Sequence, residues 1–263
     1  MRNNLVRSFC TPPFLPLNDF DSRVLEDADK EELAFEYGKL NCYSWGQGKK
    51  VLLVHGWGSR ASHMGLIART LAGSGFKAIS YDAPAHASGI DDNRAELSNF
   101  FEFSRSLAQV AKNIGPFFAI IGHSLGAVAS VFAITGKSLV SGYRVQTEKL
   151  ILMGLPVHLE NLVTSFCRNK GLNDSDCSRL KNDLEHNFNF SFDDFNTEEA
   201  LREIKAEVLV IHDRNDEEFP LSEAECLQKS FPKIELYVFD GKGHQKVMLN
   251  RQVISRIEEW LTQ

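Results

Sequence analysis

The sequence predicts an α/β protein: a mostly parallel, eight-stranded sheet with helices on both faces and a small helical cap. Three observations carry that expectation. Short apolar runs rich in β-branched and aromatic residues alternate with longer stretches of helical periodicity. The runs are apolar throughout, as strands buried on both faces are. The alternation breaks once, over about 50 residues between Gly154 and Val208 that hold no such run.

Taken in order, Leu33–Tyr37 and Leu40–Trp45 read as an antiparallel hairpin around Gly38. Buried strands follow at Val51–His55, Phe76–Tyr81, Phe117–Ile121, Leu150–Met153, Val208–Ile211 and Ile234–Phe239, each bounded by Gly, Asp, Pro or Lys. Helices are expected over 62–73, 94–114, 125–137 and 221–230. A last amphipathic helix over 249–261 gathers Val253, Ile254, Ile257, Trp260 and Leu261 on one face. Inside the interruption, weaker helical patterns near 158–168 and 175–187 accompany Phe166, Phe188, Phe190, Phe192 and Phe195. A structureless loop of that length is unusual in a compact domain. The expected organisation is therefore an N-terminal extension over 1–32, a core built from 33–155 and 201–263, and an inserted cap over 156–200.

Composition narrows the function classes. A net charge of −6 argues against a dedicated nucleic-acid or anionic-membrane surface. The five cysteines, Cys10, Cys42, Cys167, Cys177 and Cys226, form no C-x-x-C pair, so neither a zinc ribbon nor a thioredoxin-type redox site is indicated. As free thiols they suggest a reducing, cytoplasmic compartment. Prolines interrupt the apolar stretch of MRNNLVRSFCTPPFLPL, and no signal peptide is read there. From Pro116 to Gly136 no residue is charged, which is long enough to resemble a membrane span. Yet His123, Ser124 and Ser130 interrupt it, and a buried strand followed by a buried helix explains it better.

The strongest chemical signal lies inside that segment. Gly122-His123-Ser124-Leu125-Gly126 fits G-x-S-x-G where a buried strand meets a helix. A sharp turn there lifts the serine hydroxyl above the sheet, and the glycines relieve crowding. The helix that follows turns its N-terminal N–H groups toward developing negative charge. A serine is a poor nucleophile until a base takes its proton, so the eight histidines are candidates. Strand alternation points His123 away from the hydroxyl. His55 and His212 end buried strands and are placed to hold loops, while His63 and His86 lie in early loops or turns. His158 and His186 fall in the cap, on solvated ground. His244, in Gly241-Lys242-Gly243-His244, follows the last strand, where parallel sheets build their sites. It is the candidate base. The acid comes from the loop His212-Asp213-Arg214-Asn215-Asp216-Glu217-Glu218. Asp216 lies deeper in it than Asp213, which ends the strand and could cap the turn, and both remain candidates on local grounds.

These residues together resemble the α/β-hydrolase superfamily over roughly 33–263. His55-Gly56-Trp57-Gly58 resembles its H-G-x-G turn, and Asp82-Ala83-Pro84-Ala85-His86-Ala87-Ser88 its D-x-P-G-H-G-x-S loop. The order Ser, Asp, His is the superfamily's own. The resemblance implies Ser124 as nucleophile, Asp216 as the acid and His244 as the base. It implies an oxyanion hole from the backbone N–H groups of Trp57 and Leu125. It also implies a serine esterase or thioesterase acting on a small, partly apolar acyl substrate, with no cofactor and no metal. Two features depart from the pattern: Ala85 and Ala87 replace loop glycines, and Gln245 stands where a bulky apolar residue is usual. A serine nucleophile argues against haloalkane dehalogenase or epoxide hydrolase chemistry, and G-H-S-L-G differs from the G-G-S-W-G of prolyl iminopeptidases. An acyltransferase using the same residues, and a non-catalytic binding protein on the same fold, are the alternatives. Transfer to an added alcohol or thiol in preference to water would mark the first.

Overall fold

The computed structural model describes residues 2–13, 15–36, 38–86, 97–137 and 143–263. Tyr37, the loop residues Ala87 and Ser88, and positions 94–96 of the expected second long helix lie outside the described residues. The chain begins with two helices, α1 (Arg2–Cys10) and α2 (Asp19–Glu26), followed by β1 (Asp29–Phe35), β2 (Gly38–Trp45) and β3 (Lys49–Val54). A 3₁₀ turn at Ala61–Met64 leads into α3 (Gly65–Gly73), then β4 (Phe76–Tyr81), α4 (Phe100–Ile114), β5 (Ala119–His123), α5 (Leu125–Thr135) and β6 (Lys149–Met153). Next come α6 (Glu160–Lys170), α7 (Asp174–Phe188), a 3₁₀ turn at Phe192–Phe195 and α8 (Thr197–Glu203). The chain closes with β7 (Glu207–Asp213), α9 (Leu221–Ser230), β8 (Glu235–Phe239), a 3₁₀ turn at His244–Leu249 and α10 (Arg251–Thr262).

The strands form one eight-stranded sheet in the order β1-β2-β4-β3-β5-β6-β7-β8. Only β2 runs against its neighbours; β3 to β8 pair in parallel. Because successive side chains point to opposite faces, the continuous apolar runs feed two cores at once. Leu52, Val54, Ile120, Leu150 and Leu152 pack with α4 and α5 on one face. Val51, Leu53, Ile121, Ile151 and Met153 pack with α3 and α10 on the other. The charge-free segment is β5 turning into α5, and Ser124 sits at the turn. No described helix is long and apolar enough to cross a membrane.

Asparagines start five of the helices. Asn18, Asn99, Asn173, Asn196 and Asn250 each accept a backbone N–H of the first turn, at α2, α4, α7, α8 and α10, which satisfies donors the helix itself cannot. Helix bounds differ from the sequence reading by a residue or two at most ends. The exceptions are informative: α1, α2, α8 and the 3₁₀ turn at His244 carry no strong sequence pattern, α4 starts at Phe100 and not at 94, residues 97–99 being non-helical, and β1 starts at Asp29, four positions before Leu33. β1 is polar and largely exposed, so it carries no apolar run to find.

Candidate active site

Ser124 occupies the turn from β5 to α5 with φ +54° and ψ −121°. This is a strained conformation for a residue with a side chain, and such strain concentrates at sites of chemistry. Two things hold it. The Ser124 N–H donates to the carbonyl of Met153 on β6 at 2.9 Å. The helix behind it approaches β3 so closely that a Cβ on Gly126 would lie 2.4 Å from the carbonyl oxygens of Val54 and His55. Leu125 is the first residue of α5, where N–H groups have no partner within the helix.

His244 and Asp216 meet across two loops. The Nδ1 of His244 lies 2.7 Å from Asp216 Oδ2, and both side chains are buried. The other carboxylate oxygen of Asp216 accepts the N–H groups of Glu218 and Phe219 at 2.8 and 2.9 Å. Burial works to raise the Asp216 pKa, but the hydrogen bond and charge of His244 outweigh it and hold the carboxyl below its ordinary value. With Nδ1 donating to the carboxylate, Nε2 of His244 is the acceptor nitrogen. It is buried and makes no hydrogen bond among the described residues. The ring lies against Gly154 at the end of β6, where φ is +54° and a Cβ would come within 2.9 Å of His244 Cε1. Nothing in the local sequence singles Gly154 out; its positive φ and the packed ring together call for glycine there.

Asp213 has a different set of partners. Its Oδ1 accepts the N–H groups of Asn215 and Gly241, and its Oδ2 that of Gly243. It ties the loop carrying Asp216 to the loop carrying His244. The other histidines are placed by similar bonds. His55 donates from Nδ1 to the Gly56 carbonyl and accepts the Ala83 N–H at Nε2, joining the loops after β3 and β4. His212 Nε2 reaches the Phe219 carbonyl at 2.9 Å. His123 Nε2 meets the carbonyl of His244 at 3.1 Å, and burial depresses the His123 pKa to about 3. His63 pairs with Ser59 and His86 with the Pro84 carbonyl. Ala85, standing where the resembled loop has glycine, adopts φ +65°, so the backbone keeps the turn at a cost in strain.

A cavity of about 290 Å³ opens at Ser124, with Trp57 and Leu125 also on its wall. Its lining is dominated by aromatic and aliphatic side chains, with a few polar groups such as Asn99 and Gln245. Phe166, Phe188, Phe190 and Phe192 line it, and the last three also pack against the main core. Phe195 does not belong with them. It is buried against Phe100 and Phe132, with ring centroids 5.2 Å apart in each case. Phe9, Phe100, Phe101 and Phe219 line the cavity from elsewhere in the chain. Beside it, a second cleft carries His244 and shares Asn169, Glu218 and Gln245. Among the described residues no group of three His, Cys, Asp or Glu side chains is placed to hold a metal ion.

The backbone is similar to several solved structures. An esterase of Pyrococcus furiosus, Pf2001, superposes with a TM-score of 0.67 at 18% identity, over 96% of this chain and 98% of that one. An esterase from Exiguobacterium antarcticum gives 0.64 at 16% identity, over 88% and 99%. A thioesterase domain from the curacin biosynthetic pathway gives 0.62 at 13% identity, over 90% and 99%. At such identities the likeness is one of fold. No curated protein matches the sequence significantly. A family model does: it covers residues 51–256, from β3 into α10, the stretch that contains the serine elbow and both loops that meet at His244, and this chain belongs to the alpha/beta hydrolase family.

Proposed function

We propose that the protein is a serine hydrolase that cleaves a carboxylic ester or thioester with a small, partly apolar acyl group. One observation carries the reading: a buried His244 oriented by Asp216 at 2.7 Å, with its other nitrogen free, beside a cavity that opens on a strained serine. Ser124 attacks the acyl carbonyl while His244 Nε2 takes its proton, and Asp216 holds the imidazole and stabilises the cation that forms. The Ser124–His244 hydrogen bond is not made in the resting geometry, and tightens when substrate closes the site. The N–H groups of Trp57 and Leu125 receive the oxyanion, an interaction whose loss costs on the order of 10²–10³ in rate in comparable sites. His244 then protonates the leaving alcohol or thiol, and water, deprotonated by the same imidazole, releases the acid.

The helices between β6 and β7 act on this reading as a cap that shapes the acyl site. A cavity of about 290 Å³ stands at the lower end of the range of about 300–1,000 Å³ for ligand pockets, which suits a short or medium acyl group. A fluorophosphonate probe tests the assignment. It should label the wild-type protein and leave Ser124→Ala unlabelled; equal labelling of the two would overturn the nucleophile. Turnover of p-nitrophenyl and acyl-thioester panels of graded length, with and without an added alcohol, then separates hydrolysis from acyl transfer.

A further inference from the structure

The cavity has a wall that belongs neither to the hydrolase sheet nor to the helices inserted after β6. Helix α1 packs on α7. Val6 and Cys10 are buried with Val163, Cys167, Leu180 and Leu184, and Phe9 meets Phe166 edge to face at 5.3 Å. Phe9 and Phe166 both line the cavity that Ser124 opens into.

Three contacts fix the segment that carries Phe9. The carbonyl of Cys10 accepts the Ser98 N–H at 2.8 Å, just ahead of α4, whose Phe100 and Phe101 line the same cavity. Pro13 lies on the loop after β3, so close that a Cβ on Gly58 would come within 2.7 Å of its Cγ. Further on, Asp21 accepts the Ser62 hydroxyl at 2.6 Å and lies 3.8 Å from Arg60, whose guanidinium donates to the Leu15 carbonyl. The N-terminal segment is thus clamped to the cap helices, to the start of α4 and to the loop that bears Trp57. All of α1 lies outside the stretch matched by the family model.

We propose that α1 closes the acyl site of this protein and that Phe9 is a specificity-determining residue, a fixed aromatic stop that limits the length of the acyl chain. The proposal rests on the acyl-pocket reading above. The ring packs edge to face on Phe166 of α6 and lines the cavity beside it, so it stands where a long acyl chain would meet it. Chains that reach it are therefore disfavoured, whereas shorter chains do not meet it.

The test is the ratio of kcat/KM for p-nitrophenyl laurate over p-nitrophenyl butyrate. Phe9→Ala should raise that ratio about tenfold or more, the low end of what a single methylene is worth in an apolar pocket. Phe9→Trp, which enlarges the stop and keeps the packed contact, should lower it, and it carries the test if the alanine variant does not fold. A ratio unchanged in a folded variant, while Phe190→Ala shifts it, would overturn the role of α1. The two readings fail separately. Absence of fluorophosphonate labelling in the wild type counts against the serine hydrolase, whereas an unchanged ratio in a labelled Phe9 variant counts against the stop alone.

Discussion

Asp213 and Asp216 are three positions apart in one loop, and their partners divide them. Asp216 gives one oxygen to His244 and the other to two backbone N–H groups. Asp213 gives both of its oxygens to backbone N–H groups of its own loop and the neighbouring one. On the proposed mechanism Asp216→Asn should lower kcat by about 10⁴, because the amide cannot hold the required tautomer. Asp213→Asn places an NH₂ group against N–H donors. It should cost about 1–3 kcal/mol of stability, or roughly 2–4 °C of Tm per kcal/mol for a chain of this size. Steady-state kinetics beside thermal melts of the two variants separate these outcomes. A larger kcat loss in a fully folded Asp213→Asn than in Asp216→Asn would reassign the acid.

At the scale of elements, the position of Ser124 depends on how closely α5 lies on β3. The close approach is possible because Gly126 has no side chain, and the atoms a Cβ would strike are backbone carbonyl oxygens that have nowhere to move. Gly126→Ala should therefore displace the start of α5. Overpacking of this kind costs typically about 1–3 kcal/mol, and on the proposed mechanism the displacement moves the Leu125 N–H away from the oxyanion. Urea denaturation should show the loss of stability, and kcat should fall with KM little changed. Wild-type stability and rate in this variant would mean that the helix has slack the structure does not display.

Across the whole molecule, acid is the expected weakness. His55 and His123 are buried and neutral; burial holds His55 well below its ordinary value and His123 down at about 3. The unfolded chain takes up protons at both below pH about 6.5, while the folded chain refuses them. Protonation therefore favours unfolding: the penalty is absent at pH 7.5 and grows as pH falls through 6.5 toward 3. The depressed Asp216 acts in the same sense lower down, since the stability it contributes is present above pH about 4 and is lost as pH drops further. Thermal melts at pH 7.5 and pH 5 should show a lower Tm in acid. His123→Gln, which can still donate to the His244 carbonyl, should narrow that difference. An identical drop in wild type and variant would exclude His123 as its source.

The local sequence was enough to determine the sheet, the elbow and the identity of Ser124 and His244 as candidates. Buried parallel strands are continuous apolar runs, and a glycine-bracketed serine between a strand and a helix has few other uses. It did not by itself choose between Asp213 and Asp216, because both are short carboxylates at the end of one strand and differ only in which groups the folded loops bring to them. The same reason hides Gly154, whose positive φ and contact with the His244 ring both arise only in the folded chain. The phenylalanines between β6 and β7 divide between cavity wall and core in a way their spacing does not show. Phe195 turned into the core, while Phe9 arrived from a helix of nine residues that precedes the sheet. So short a helix is marginal on its own, and its apolar face acquires meaning only from α6 and α7, against which it packs. Which residues line the cavity at Ser124 was decided by tertiary contact between segments more than 150 positions apart in the chain, Phe9 and Phe166, and no local pattern encodes such a contact.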